Sequence, residues 1–418
     1  MRDPSKPLNV VQIPRRFVRE EWGGMETVVL ETGKRLLAMG HQTEVLTANA
    51  LARSNHETIE GLKITRTPYF YPYLGLSADA RNQMDLRAGN LFSFDLMRQL
   101  RRMNNLDLIH LHTMGYLGSI GRREARRRRI PYVLSLHGGA FDMPTEQLDM
   151  LTAPTKGTLP WGKAIGFAMG SRKVVPDADV IICVGQPEQQ AAQERFPEKK
   201  VVYLPNGVDP ARFADGKGER FRDKYAIPSH ATMILTVARI DPQKNQLLAV
   251  ELLKKLRADT PDVHLVLIGP VTDEPYLEKL KQAAAQAGVA DALCIVPGLA
   301  AGDPLLVDAY HAADVFLLPS MHEPFGIVIL EAWAAGLPVL ASRVGGVPFF
   351  VEDGVDGFLF EPGDAADSAR AYHALMGSDA QASAERGREK VVREYTWDAI
   401  SERLLALYRE AIDAHPIR

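Results

Sequence analysis

The stretch DVFLLPSMHEPFGIVILEAWAAGLPVLAS, residues 314–342, carries a strand, a turn, a helix and a second strand in unbroken succession. DVFLLP (314–319) and LPVLAS (337–342) are apolar runs of strand length, and the helix signal between them, IVILEAWAAG, starts behind Pro324 and Gly326 and closes at Gly336. A strand, helix and strand in that order form a crossover unit, and strands this apolar belong in a parallel sheet covered on both faces. Two carboxylates interrupt the run. Glu323 lies on the turn and Glu331 about one turn inside the helix, so both can face one ligand although eight positions separate them. Glutamates in apolar surroundings are costly unless hydrogen-bonded. Vicinal sugar hydroxyls are suitable donors, and the alternative for Glu331 is a neighbouring arginine within the core.

The same alternation extends to both sides. LNVVQI (8–13), TEVLT (43–47), DLIHLH (107–112), YVLSLH (132–137), DVIICV (179–184) and KVVYLP (200–205) precede the polar, Gly-containing NGVDPARFADGKGER. MILTVA (233–238), HLVLIG (264–269) and LCIVPG (293–298) follow it. We therefore expect an α/β chain of two doubly wound, Rossmann-like parallel-sheet domains, residues 1–205 and 206–395, joined near 206–228 and followed by a terminal helix within 396–418. Open parallel sheets bind ligands outside the carboxyl ends of their strands, so two such sheets facing each other would form a cleft.

Composition sets limits. A chain of 418 residues with 46% hydrophobic and 24% charged residues and a net charge of -3 is an ordinary globular one, and nothing in this balance suggests a nucleic-acid partner. The opening MRDPSKPLNVVQIP does not resemble a signal peptide, and no window approaches the roughly twenty apolar residues of a membrane span, so a cytoplasmic location is expected. Cys183 and Cys294 lie in strand-like runs and read as buried free thiols. His110 and His112 share one face of a strand but have no third ligand at zinc spacing, and no metal site is expected. Asp177 and Asp179 read as a turn entering a strand.

Residues just after the strands carry the chemistry. Gly23 and Gly24 precede a helix, where glycines either let backbone N–H groups approach an anion or simply form a tight turn. They belong to neither G-x-G-x-x-G nor a Walker A loop, which removes the main support for nicotinamide and ATPase readings. Arg239 and Lys244 share the loop TVARIDPQKNQ, and a planar guanidinium beside a compact ammonium suits a diphosphate. The helix from about Ile327 aims free N–H groups outward. LHGGAFD adds His137 at a strand end.

Together, WGG (22–24), LHGG (136–139), PNGVD (205–209), VARIDPQKN (237–245) and the E-x(7)-E of Glu323 and Glu331, followed by RVGGVP, resemble the family-4 retaining glycosyltransferases of the GT-B fold over essentially the whole chain. The resemblance implies that Glu323 contacts hydroxyls of a donor sugar and Glu331 the ribose of its nucleotide. Arg239 and Lys244 would neutralise the diphosphate. Main-chain groups of Pro324, Phe325, Gly326, Ile327 and Val328 would hold sugar and phosphates, with the base near Pro297 to Leu299. His137 would sit by the reacting sugar, and Gly23 and Gly24 would leave room for diphosphate and acceptor. The family's chemistry implies retention through an oxocarbenium-like state without a metal or any cofactor other than the nucleotide-sugar substrate. The C-terminal helix is expected to pack back on the first domain. One departure is Phe349 after Val347-Pro348, where many relatives carry an acidic residue.

The acceptor is less legible. Arg15, Arg16 and Arg19 with Phe17, and RREARRRR at 122–129, read either as solvated or helix-end cations or as attractors of anionic lipid or saccharide. The Pro-interrupted segment between Phe141 and Val175 offers Trp161 and Phe167 to an acceptor, with ordinary packing as the default. The expectation is hexosyl transfer from a UDP- or GDP-sugar to a glycan or lipid-linked acceptor in cell-surface polysaccharide or glycolipid assembly, at the inner membrane face. Alternatives are a small soluble acceptor such as a sugar or sugar phosphate, or a non-catalytic nucleotide-sugar-binding scaffold. A further alternative keeps the fold but changes the reaction to a phosphorylase or a nucleotide-sugar epimerase; the first would need a phosphate-accepting site or a lysine holding pyridoxal phosphate, and no lysine has a clear claim.

Overall fold

The computed structural model describes residues 6–19, 22–86, 89–139, 141, 153–299 and 302–415. Contacts divide the chain into one unit of Met1–Pro205 with Trp397–Arg418 and a second of Asn206–Thr396.

The first unit is built on an eight-stranded sheet. Its strands are β1 (Asn9–Ile13), β2 (Gln42–Ala48), β3 (His56–Ile59), β4 (Leu62–Thr67), β5 (Leu108–Leu111), β6 (Tyr132–Leu136), β7 (Val180–Cys183) and β8 (Lys200–Tyr203), in the order β3-β4-β2-β1-β5-β6-β7-β8. All pairs are parallel except β3 with β4, a hairpin whose two turn residues, Glu60 and Gly61, both have positive φ (47° and 86°). That geometry matches the twist of the flanking strands. The hairpin was not expected from the sequence, because HETIEGLKITRT is half polar and forms the sheet edge.

Neighbouring residues along each strand face opposite ways. Val11, Ile109 and Leu134 enter one core cluster, whereas Val10, Leu108, Val133, Val180 and Ile182 enter another that the helix Trp397–Ala414 covers. Trp397, Ile400, Leu404, Leu407 and Tyr408 supply that cover, each large side chain contributing about 1.5–3 kcal/mol by leaving water. Gln12, His110 and Ser135 also lie buried, polar groups among apolar neighbours. Cys183 is buried, whereas Cys294, in the second unit, is only half-buried.

The second unit is a six-stranded, wholly parallel sheet. Its strands are β9 (Thr232–Val237), β10 (Val263–Ile268), β11 (Leu293–Val296), β12 (Val315–Leu318), β13 (Val339–Ser342) and β14 (Phe358–Phe360), in the order β11-β10-β9-β12-β13-β14. Residues 206–228, read as a joint, are instead a folded part of this unit. Phe213 (1% exposed) and Phe221 (0%) are core residues, so polar composition there masked two aromatic anchors. The opening stretch forms β12, the helix Ile327–Ala334 and β13. Its helix ends at Gly336 (φ 73°), where the N–H groups of Gly336 and Leu337 reach back to the carbonyls of Trp333 and Ala332.

Candidate active site

Strand order in the second unit reverses between β9 and β12, and the loops leaving these neighbours emerge side by side at the carboxyl edge. Gln243 holds the two loops together. Its carbonyl accepts the N–H of Met321 (2.8 Å), and its side-chain amide donates to the carbonyl of His322 (3.1 Å). Asp241 caps the short turn Pro242–Lys244 by accepting the N–H of Lys244 (3.2 Å). Lys244 is thereby aimed at Glu323, and Nζ meets Oε2 at 2.7 Å. Ser320 Oγ donates to the same oxygen at 3.4 Å. Glu323 is 7% exposed, so the pair neutralises itself in a nearly dry place. Arg239 differs: it is exposed and, among the described residues, its side chain is held by Asp241 (3.2 Å) and Gln243 (3.3 Å) alone. Exposed ion pairs contribute at most about 1 kcal/mol, so Arg239 can turn to a phosphate at little cost.

The turn after Glu323 needs glycine. Gly326 has φ 98° and caps the helix Ile327–Ala334, whose half-buried first residues Ile327 and Val328 present N–H groups with no acceptor inside the helix. Phe325 is buried (2%) and its ring stacks on Phe350 at 4.7 Å, so only its main chain can reach a ligand. Pro324 is half-buried beside it. Gly345 and Gly346 press against the back of this turn. A Cβ on Gly345 would lie 2.1 Å from the carbonyl oxygen of Glu323, and one on Gly346 would lie 2.2 Å from that of Pro324.

Glu331 accepts a hydrogen bond from the Tyr310 hydroxyl at 2.7 Å. Its partner is therefore a phenol rather than an arginine, with Arg212 acting only at longer range. Burial pushes the Glu331 carboxyl upward, against the opposing pull of Tyr310 and Arg212. Leu299 is half-buried on the loop after the edge strand β11, with β10 between that strand and β9.

In the first unit, Gly23 is the extended residue capping the helix Gly24–Ala38, and Gly24 opens it. Both are exposed. The Gly23 N–H, which the sequence offered to an anion, already donates to the Glu26 carboxylate at 3.2 Å. Glu26 is buried, and burial raises its pKa despite Arg16 nearby. In this respect the glycine pair is an occupied cap, and the expected free donor belongs to Glu26.

His137 follows β6, and its loop is tied down where the Gly138 N–H donates to Glu188 at 3.2 Å. A directed chain reaches the imidazole from below. Gln12 donates through Nε2 to Thr43 Oγ1 (3.3 Å), which leaves Oε1 to accept from His112 Nε2 (3.2 Å). His112 Nδ1 must then accept from His137 Nε2 (3.0 Å), so the lone pair of His137 lies on Nδ1. Beside it, His110 bonds Tyr408 (2.6 Å) and Ser135 (2.7 Å). Desolvation lowers all three imidazoles, His137 to about 4 and His110 to about 3. An imidazole with a depressed folded pKa binds fewer protons than its unfolded counterpart, so its stabilising contribution is complete above about pH 6.5 and is lost as pH falls toward 4. We expect the thermal midpoint of the first unit to drop between pH 6.5 and 5, opposed by the raised carboxyls of Glu26 and Glu44, which act in the other sense as pH falls. A midpoint flat across that window in a pH-resolved melting series would show that these rings are solvated.

The basic clusters are largely engaged. Arg15 donates to the carbonyls of Met84 and Asp85, and Arg16 to those of Asp85 and Leu86, closing the C-terminal end of the helix Ala78–Leu86. Arg19 pairs with Glu57. In the second cluster, Arg122 and Arg126 meet Asp177, while Arg127 and Arg128 meet Glu124. Asp179 accepts from the Tyr132 N–H and pairs with His415. Among the described residues no three His, Cys, Asp or Glu side chains gather as a metal site, and no helix is long and apolar enough to cross a membrane.

The family profile described as Glycosyltransferase Family 4 matches residues 22–212, and that described as Glycosyl transferases group 1 matches 217–390. The chain is 30% identical over 410 residues to a D-inositol 3-phosphate glycosyltransferase of Streptomyces avermitilis, an alignment covering 94% of this chain and 84% of that protein. It belongs to the family-4 glycosyltransferases. A relative from Geodermatophilus obscurus with the same description is 29% identical over 94% of this chain and 85% of its own. HepE of Anabaena, solved with UDP and glucose, superposes with a TM-score of 0.71 at 18% identity, covering 96% of this chain and 99% of that one. Sucrose-phosphate synthase of Thermosynechococcus elongatus gives 0.73 at 22% identity over 97% and 100%. The fold of this glycosyltransferase is GT-B.

Of the residues read from its sequence, Lys244 and Glu323 are in direct contact, Arg239 shares the loop of Lys244, and Pro324 to Val328 with Glu331 lie on the adjoining turn and helix. Leu299 stands apart on its own loop, and Gly23, Gly24 and His137 belong to the other unit. Sequence reasoning missed Gln243, Tyr310, Gln12, His112, Glu26 and Glu188. Only His112 carried a signal, its sharing of a strand face with His110.

Proposed function

We propose that this glycosyltransferase moves a hexosyl unit from a UDP- or GDP-sugar, with retention and without a metal, to a hydroxyl of a phosphate-bearing acceptor, either a small sugar or cyclitol phosphate or a lipid-linked glycan. The observation that carries the donor half is the Glu323–Lys244 pair beneath the free N–H groups of Ile327 and Val328. Sugar hydroxyls can donate to Glu323 while Lys244, Arg239 and the helix start oppose the negative charge growing on a leaving diphosphate. The bond from the anomeric carbon to the phosphate oxygen breaks, the bond to the acceptor oxygen forms, and the acceptor proton passes to the departing phosphate. His137, neutral and with its lone pair on Nδ1, is assigned to the positive charge at the anomeric carbon through the LHGG motif. Glu331 is assigned to the ribose, with Tyr310 fixing one of its oxygens.

Support for a phosphorylated acceptor comes from the relatives described as D-inositol 3-phosphate glycosyltransferases. The test is nucleoside-diphosphate release from UDP-, GDP- and ADP-sugars with chelator present, supplied in turn with inositol 3-phosphate, a hexose phosphate or vesicles carrying lipid-linked acceptors. Release from one donor that survives chelation supports the reading. Loss of release on chelation, restored by a divalent cation, would overturn its metal-free part, and donor binding without release in any arm would favour a scaffold.

A further inference from the structure

The first unit leaves a group of large apolar side chains in water. Phe167 is 91% exposed, Leu159 64%, Leu74 59%, Phe94 56% and Trp161 43%. This is a built surface. Leu74 and Leu159 exchange main-chain hydrogen bonds (3.0 and 3.1 Å), and the Gly162 N–H donates to the Pro72 carbonyl. Phe70 then stacks on Trp161 (5.9 Å, 6°) and on Phe94 (5.7 Å, 27°), joining the two segments. A Cβ on Gly162 would meet Pro72 at 2.4 Å, so the approach is close. On the helix Lys163–Met169 the exposed side includes Ala164, Phe167 and Ala168, the apolar spacing a helix ordinarily buries. Ordinary packing, the default for Trp161 and Phe167, does not hold for Phe167 and holds on one ring face only for Trp161. Residues 142–152 of the segment considered above lie outside the described residues.

Charge decides what covers this face. Lys156, Lys163, Arg172 and Lys173 are all exposed, and no acidic residue occurs between 153 and 176. Along the helix Phe94–Arg102, Phe94, Arg98 and Arg101 recur at four and three residues, one face of a helix. Arg101 and Arg123 line one groove with Met97, Ile120 and Glu124, together with Arg126 and Arg127, which are already paired with Asp177 and Glu124. Among the described residues Arg101 and Arg123 have no carboxylate partner. Phe167, Trp161 and Leu159 beside lysine and arginine in a segment without an acid match a headgroup layer, whereas next to Phe94 the cation Arg98 is already paired with Asp95. A protein interface would instead be depleted of lysine.

We propose that this face docks on an anionic membrane, with Phe167, Trp161, Leu159 and Leu74 at headgroup depth and the surrounding cations on lipid phosphates. It deepens the proposed function by favouring the lipid-linked acceptor, and it rests on that reading only for the acceptor. The test is co-sedimentation of the full chain with phosphatidylcholine vesicles, with or without phosphatidylglycerol, at low and high salt, alongside donor turnover in solution. We expect binding to the anionic vesicles only, weakened by salt, reduced about tenfold by Phe167→Ser and about fivefold by Arg101→Gln, with turnover in solution unchanged in both variants. Wild type that stays in the supernatant with anionic vesicles at low salt overturns the proposal, as does binding that Phe167→Ser leaves intact. A concentration-dependent dimer that Phe167→Ser dissolves, without vesicle binding, would assign the face to a second copy instead. Vesicle binding together with no release from any donor and acceptor pair of the preceding test would overturn the transferase reading alone.

Discussion

Glu323→Ala will remove most sugar transfer while leaving binding of the free nucleoside diphosphate intact or tighter. Each hydrogen bond to a charged group is worth about 1.5–3 kcal/mol, so losing the two sugar hydroxyl contacts proposed for Glu323 lowers kcat/KM by roughly 10²- to 10⁴-fold. The second half of the expectation comes from Lys244. Its ammonium lies 2.7 Å from the carboxylate, and removing that carboxylate frees a half-buried cation for the phosphates. Calorimetric titration with UDP and GDP, set beside steady-state transfer, separates the two effects. If diphosphate affinity fell in step with turnover, the pair would be a structural tie between two loops and the assignment of Glu323 to the sugar would fail.

That coupling was invisible in the linear chain, whereas the fold around it was not. Strands buried on both faces of a parallel sheet read as short apolar runs, and the eleven runs quoted above all became strands within about two residues of their expected limits. The edge pieces escaped for the same physical reason. The hairpin β3–β4 and the three-residue β14 lie at sheet margins, where one side meets water or a loop and the apolar signal fades. The joint at 206–228 misled in the opposite direction, since Phe213 and Phe221 sit singly in a polar, Gly-containing stretch yet fill the core.

Candidate site residues divide along similar lines. Those on loops directly after strands, Arg239, Lys244, Glu323 and His137, were legible because a parallel sheet puts such loops on its ligand-binding edge. Their supports come from elsewhere in the chain. Tyr310 lies on a different helix from Glu331, and Gln12, in β1, and His112, just past β5, are made neighbours of His137 only by the sheet order. Charge runs were the least legible of all. RREARRRR looked like a free cationic tract, but its carboxylate partners Glu124 and Asp177 take up four of its arginines.

Gly345→Ala shows how far such unseen supports reach, and a large loss of activity is expected from adding one methyl group behind the Glu323 turn. The residue sits at φ 53°, a region that costs a residue bearing Cβ about 1 kcal/mol. More decisively, the new Cβ would stand 2.1 Å from the carbonyl oxygen of Glu323, and the adjoining Gly346 N–H bonds that same oxygen at 3.0 Å. Backbone cannot yield as a long side chain can, so the Glu323–Gly326 turn must shift by about 1 Å, a misplacement that can cost roughly 10²-fold in rate. Strain of about 1–3 kcal/mol lowers the midpoint of the second unit by several degrees. Gly354→Ala is the matched control, because its φ of 76° carries the same backbone penalty while nothing lies within 4 Å of the added carbon. Transfer by the two variants, measured with their melting curves, then separates turn geometry from backbone strain. Equal activity in both would mean that the turn behind Glu323 tolerates displacement and that the close glycine packing serves stability alone.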